Sequence, residues 1–245
     1  MAEVKTLYSL GCSFMSDDNS RPHQPNFLQQ FCNKHNYEYH CLARPGATNF
    51  VINLQVDMAI KQKPDLIVIG ATSSDRIQIV MDPDNWRAPL ELKHILYEGY
   101  KCSSYEEVLK SNNYRKEDFI VADTLANIVE APYVSVPEET KQAVKNYITD
   151  LHDIGLQYHI DGCIVIDSLR KLLDSGLEFV FIPGPMFPMG WHWLVGDRLW
   201  PKDRPQPWDM PCGPYNISNH NPPEAHEQFL ETLEQMLFDR GILQK

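Results

Sequence analysis

Leu7-Tyr8-Ser9-Leu10-Gly11-Cys12-Ser13-Phe14-Met15 is the stretch on which the fold turns. It continues an apolar run from Val4 and reads as a strand that ends at Leu10. Gly11 then permits a sharp turn through backbone angles that other residues resist. The turn delivers Ser13 at the carboxyl end of a strand, the edge where open α/β sheets bind their ligands. A serine becomes a nucleophile only when a base activates it, so its partners have to be sought downstream.

Working outward, Phe27, Leu28, Phe31 and Cys32 recur at helical spacing, and Tyr37 to Leu42 alternates as a second strand. Ala43-Arg44-Pro45-Gly46-Ala47-Thr48-Asn49 is a turn rich in breakers. Phe50 to Lys61 is helical in pattern and stops at Lys63-Pro64. Leu66-Ile67-Val68-Ile69-Gly70 is a continuous apolar run, as in a strand buried on both faces of a parallel sheet. Glu138 to Ser175 is a long helical pattern with a break expected near Gly155 or Asp161-Gly162. Glu178 to Pro183 reads as the last core strand. Pro222-Pro223 opens a final helix with Phe229, Leu230, Leu233, Met236 and Leu237 as its stripe, and Gly241 closes it.

This rhythm predicts an α/β fold, a doubly wound parallel sheet flanked by helices. Its strands lie near 4–10, 37–42, 65–70 and 178–183. The chain reads as a single domain over residues 1–245 with two interruptions. Residues 80–137 are too long for an ordinary connection and read as a partly helical insertion. Residues 185–214 form a loop rich in tryptophan and proline.

Composition narrows the function. The 22 Lys and Arg against 33 Asp and Glu leave a formal charge of −11. That balance argues against sequence-independent nucleic-acid binding, which rests on Lys and Arg contacts to phosphate. The six cysteines (12, 32, 41, 102, 163 and 212) contain no CxxC pair. They read as small buried hydrophobes in a reducing compartment. The start, Met-Ala-Glu-Val-Lys, lacks the charged and apolar regions of a signal peptide, and no apolar run approaches membrane-spanning length. A cytoplasmic protein without membrane partner is the expectation. His152, His159 and Asp161 fit no strong zinc spacing, so neither metal nor other cofactor is expected.

Three Gly-bearing loops follow three strands in order: Gly11-Cys12-Ser13-Phe14, Arg44-Pro45-Gly46-Ala47-Thr48-Asn49 and Gly70-Ala71-Thr72-Ser73. His220-Asn221-Pro222-Pro223-Glu224-Ala225-His226 comes just before the final helix. In this order the blocks resemble those of the SGNH hydrolases, the GDSL-like esterases. The resemblance covers the core elements and leaves the two interruptions unexplained. It implies Ser13 as nucleophile and His220 as base, acting on an ester of a small molecule or carbohydrate, such as an O-acetyl sugar. It implies an oxyanion hole from the Ser13 and Gly46 backbone amides. The third donor of that family is an Asn where this chain has Thr72; Thr72, or Asn49 from the second block, would take its place.

The chain also departs from the family. An Asp usually stands three residues before the His, and here Ile217 stands there. Three outcomes stay open: a Ser–His dyad, an Asp recruited from elsewhere, or lost activity. Cys12 replaces another usual Asp, one that is not catalytic. Each block alone has a plainer reading, Ser13 as a turn serine and His220 as a surface histidine. His226 and His192 read as packed structural residues. Trp191 and Trp193 would line a substrate pocket, or would pin their loop to the domain. Arg44 and Arg76, on loops near the same mouth, would bind an anionic group or pair with local carboxylates. The principal rival is a non-enzymatic binding or structural module, intracellular or part of a virus-encoded assembly. A flavodoxin-like phosphate loop is a weaker rival, because 16–25 lacks the Gly/Ser/Thr-rich loop running into a helix that it would need.

Overall fold

The computed structural model describes residues 4–16, 25–44, 47–74, 76–80, 94–95, 119–124, 138–184, 191–207 and 221–244. In chain order the first elements are β1 (Lys5–Leu10), α1 (Phe27–His35), β2 (Tyr37–Cys41), α2 (Asn49–Gln62) and β3 (Leu66–Gly70). Three short strands follow: β4 (Arg76–Val80), β5 (His94–Ile95) and β6 (Phe119–Thr124). Then come α3 (Glu138–Asp150), α4 (Ile154–Ser175), β7 (Phe179–Ile182), a short α5 (His192–Val195) and the terminal α6 (Pro223–Asp239).

β1, β2, β3 and β7 pair in parallel in the order β2-β1-β3-β7. The four predicted strands are therefore neighbours in one sheet. Side chains alternate across it, because successive Cβ atoms point to opposite faces. Tyr8, Leu10, Ile67, Ile69, Phe179 and Phe181 pack with α2 and α4. Leu7, Leu66, Val68, Val180 and Ile182 pack with α1 and α6. Burying one such Leu or Phe is worth about 1.5–3 kcal/mol, so these two layers carry most of the stability. The sheet is wound on both faces, as the strand rhythm predicts.

The winding has one consequence for function. From β1 the chain moves to β2 on one side, then returns past β1 to β3 on the other. β1 and β3 therefore flank the point where strand order reverses. Ligands of open α/β sheets bind in the crevice outside the carboxyl ends at such a point.

Local signals set the helix ends. Asn26 accepts from the backbone N–H groups of Leu28 and Gln29, and Gln29 reaches back to the Asn26 N–H, closing a capping box. Thr48 caps α2 by accepting from Val51 N at 3.2 Å. The long pattern over 138–175 breaks at 151–153, just before Gly155, where Asp153 caps α4 through Gly155 N and Leu156 N. Asp161 and Gly162 lie inside α4.

Of the 80–137 interruption, only Val80, 94–95 and 119–124 lie among the described residues, and these are strand: β4, β6 and β5 form an antiparallel sheet, in that order, which begins at Arg76. The Arg-Ile-Gln-Ile-Val sequence of β4 alternates at period two, which suits a strand. Among the described residues no helix is long and apolar enough to cross a membrane.

Candidate functional site

The Ser13 turn is built from the inside. Gly11 has φ +147°, in the range that L side chains rarely adopt. Both of its backbone groups meet one side chain: Gly11 N donates to Gln55 Oε1 at 2.7 Å, and Gln55 Nε2 donates to Gly11 O at 3.3 Å. Ser9 Oγ donates to Met15 O at 2.6 Å, which folds 11–15 back over the end of β1. Met15 N donates to Cys12 O at 3.0 Å. Ser16 Oγ donates to Ser13 O at 3.0 Å, and Asn26 Nδ2 to Ser16 O at 3.2 Å. Ser13 is thus buried in a turn whose carbonyls are held from three directions.

The second loop is hydrogen-bonded to the first. Arg44 N donates to Gly11 O at 3.0 Å, and Ala43 N to Ser9 O at 3.0 Å. The third is tied to the second. Thr72 N donates to Asn49 Oδ1 at 2.9 Å, and Asn49 Nδ2 donates to Thr72 O at 3.0 Å. Arg76 Nη1 donates to Ala47 O at 3.2 Å. The three loops noted in the sequence therefore meet at the carboxyl end of β1 and β3.

The predicted site residues divide into three groups. Ser13, Arg44 and Thr72 lie on these loops, with Asn49 at the start of α2 and Arg76 at the start of β4 bonded to them. Gly46 and His220, and with them Ile217 and Asn219, lie outside the described residues. Trp191 and Trp193 part company. Trp191 is buried, edge-on to Phe181 with ring centroids 5.6 Å apart, whereas Trp193 is 63% exposed. Trp200 is fully buried against Phe27, its indole N–H donating to Pro205 O at 3.1 Å. These two buried tryptophans match the reading in which the loop is pinned to the domain.

Geometry changes three of the expected roles. Asn49, weighed as an oxyanion donor, has its amide hydrogens directed at Thr72 O and at Asp161 Oδ2, the latter at 3.1 Å. It joins loops instead of facing outward. His192 is exposed, with Nδ1 3.2 Å from Gly196 O, and is not packed between its tryptophans. Cys163 is exposed, unlike buried Cys12 and Cys32; burial pushes the Cys32 thiol up to about 12. His226 is packed as expected, stacked on Phe27 at a centroid distance of 6.3 Å. Among the described residues neither ring nitrogen has a hydrogen-bond partner, and burial pushes its pKa from 6.5 down to about 4.

Sequence reasoning did not single out Gln55, Ser9 or the α2–α4 polar ladder. That ladder runs Asn49 to Asp161, Asn53 Nδ2 to Ser168 Oγ at 2.8 Å, and Lys171 Nζ to Asn53 Oδ1 at 2.8 Å. One signal was present: Asn49 and Asn53 stand four apart in a helix otherwise rich in apolar residues, so they share a face. His159 is exposed, while Asp161 is buried against Asn49 and Gln157. Among the described residues no group of three His, Cys, Asp or Glu side chains is placed to hold a metal ion.

No family model, curated protein or solved structure matches the chain.

Proposed function

We propose that the chain is an SGNH-type serine hydrolase that cleaves an ester of a small molecule or carbohydrate. The observation that carries this reading is the position of Ser13. It sits in a glycine turn at the carboxyl end of β1, at the reversal of strand order, beside two further loops. Ser13 Oγ attacks the ester carbonyl while His220 accepts its proton, giving a tetrahedral oxyanion. The Ser13 and Gly46 amides and the Thr72 hydroxyl are the donors for that oxyanion. One such donor is worth about 3–4 kcal/mol of barrier. Collapse expels the alcohol, which takes the proton from His220. Water, deprotonated by the same histidine, then releases the acid and frees Ser13.

The test is covalent labelling. The whole chain is incubated with a fluorophosphonate, the adduct is mapped by peptide mass spectrometry, and p-nitrophenyl acetate turnover is followed in parallel. Labelling at Ser13 with turnover above buffer is the expected result. Well-folded protein with neither labelling nor turnover on acetylated sugars would overturn it.

A second reading is favoured by one observation, the 63% exposure of Trp193 on a loop pinned by buried Trp191 and Trp200. An exposed indole on a fixed loop suits a binding module that keeps the fold without the chemistry. In that case Ser13 stays unlabelled and Trp193→Ala abolishes partner association.

A further inference from the structure

We propose that Asp161 is a positioning residue of this site: its carboxylate orients the Asn49 amide, and that amide sets the backbone of Thr72. Asp161 comes from α4, Asn49 from the first turn of α2, and Thr72 from the loop after β3. All three are at least nine-tenths buried, with 3%, 1% and 3% of their surfaces exposed. Asp161 Oδ2 accepts from Asn49 Nδ2 at 3.1 Å, and its Oδ1 accepts from Gln157 Nε2 at 3.0 Å. Asn49 then closes a two-bond ring with the Thr72 N–H and C=O.

The direction of the relay follows from the donor and acceptor inventory. A carboxylate only accepts, whereas an amide presents either its oxygen or its NH₂ group. Turned over, Asn49 would aim its NH₂ at the Thr72 N–H and its oxygen at Thr72 O and Asp161. Every one of those contacts would be repulsive, and in a buried site that mismatch is severe. Asp161, an acceptor only, reinforces the orientation that the Thr72 N–H and C=O also require, and it fixes the Asn49 amide in place from the far side. A buried carboxylate is unfavourable unless well hydrogen-bonded, and a Leu would fill this position in α4 without that burden. What the acid supplies is a fixed position for the loop that carries the third oxyanion donor. That functional part rests on the hydrolase reading; the loop-ordering part does not.

Two measurements on the full chain separate them. The first is hydrogen–deuterium exchange at the Thr72 amide. Asp161→Leu and Asn49→Leu should each speed that exchange by about tenfold or more, with the β3 amides unchanged. Asp161→Asn should keep the protection: its oxygen still accepts from Asn49, and the Gln157 amide rotates to accept from its NH₂. Equal Thr72 exchange in wild type and Asp161→Leu would overturn the relay, whatever the activity. The second is ester turnover. Asp161→Leu should lower kcat by about tenfold with KM unchanged, as expected for a group acting only in the transition state. Asp161→Asn should restore kcat to within about threefold of wild type. A kcat unchanged in Asp161→Leu, in a wild type that labels at Ser13, would overturn the positioning role. A wild type that does not label overturns the hydrolase reading instead and leaves the exchange result to judge the relay. If Asp161→Leu does not fold, the exchange of Asn49→Asp paired with Asp161→Asn replaces it. That pair restores a donor on residue 161 facing an acceptor on 49. It should protect Thr72 better than Asn49→Asp alone, and failure to do so would overturn the relay.

Discussion

Met15 lies across Gly11: a Cβ built on Gly11 would stand 2.6 Å from Met15 Cγ and 3.0 Å from the Gly70 carbonyl oxygen. Gly70, on the neighbouring strand, approaches the same side chain, its Cβ position 2.8 Å from Met15 Cγ. Two glycines and one methionine therefore form the floor on which the Ser13 turn rests.

The two glycines should respond differently to alanine. Gly11→Ala meets backbone as well as side chain and has an unfavourable φ, so it should cost about 2–4 kcal/mol. Gly70→Ala meets only the flexible Met15 side chain and should cost about 1–2 kcal/mol. On a Met15→Ala background the Gly70→Ala penalty should vanish, while most of the Gly11→Ala penalty should persist. Urea unfolding of wild type, the three single variants and both double variants measures this. Equal penalties for the two glycines on the Met15→Ala background would contradict the packing argument.

Gln55 offers a second test of the same turn. Gln55→Leu removes the partner of the Gly11 N–H and leaves that buried donor unsatisfied, at about 1–3 kcal/mol. Gln55→Glu should be worse, because its second oxygen faces the Gly11 carbonyl oxygen in place of an N–H. Both variants should also label more slowly at Ser13. A Gln55→Glu as stable as wild type near neutral pH would show that the two bonds do not hold the turn.

The frame was legible in the sequence and the relay was not, for a physical reason. Strands β3 and β7 announce themselves because a strand covered on both faces is apolar throughout, and β1 through Leu7, Tyr8 and Leu10 just ahead of Gly11. Loops after parallel strands must emerge at one edge, so the meeting of the Ser13, Asn49 and Thr72 loops follows from topology. Asp161 carries no such mark. Its partner is 112 residues away, and a lone Asp in a helix looks like any solvated acid. Gln55 is equally silent, since it serves Gly11 across 44 residues. β4 alternates and β6 is a short apolar run, and inside a long polar stretch either pattern resembles a turn or a helix end.

His226 makes stability depend on pH. Folded, its imidazole titrates at about 4, against 6.5 ordinarily. Between those values the unfolded chain binds the proton and the folded chain does not, so stability falls as pH falls through that window. The full difference approaches about 3 kcal/mol, taking about 1.36 kcal/mol per pH unit. Glu234 acts in a lower window. Burial raises its carboxyl, but Lys34 and His35 outweigh that and hold it below 4.5, so its contribution is lost only as pH falls below that value. Urea unfolding at pH 7, 5.5 and 4.5 should show His226→Leu losing less stability than wild type across the range. Parallel losses in the two proteins would refute the assignment.

Ser13 and Ser16 stand three residues apart in the same turn and should fail in different ways. Ser13→Ala removes the nucleophile itself, so ester turnover should drop to the buffer rate and fluorophosphonate labelling at this position should disappear. Its stability should change by no more than one hydrogen bond, about 0.5–1.5 kcal/mol. Ser16→Ala removes the shorter of two donors to Ser13 O, the 3.0 Å hydroxyl bond, and leaves the Ser16 N–H at 3.4 Å. Labelling at Ser13 should therefore survive but slow by about tenfold, since a nucleophile misplaced by a fraction of an ångström loses its attack geometry. The measurement is the pseudo-first-order labelling rate, with folding checked by unfolding midpoint. If Ser13→Ala leaves turnover intact, the nucleophile is another residue. If Ser16→Ala labels as fast as wild type, the turn is held in register by Ser9 and Gln55 without it.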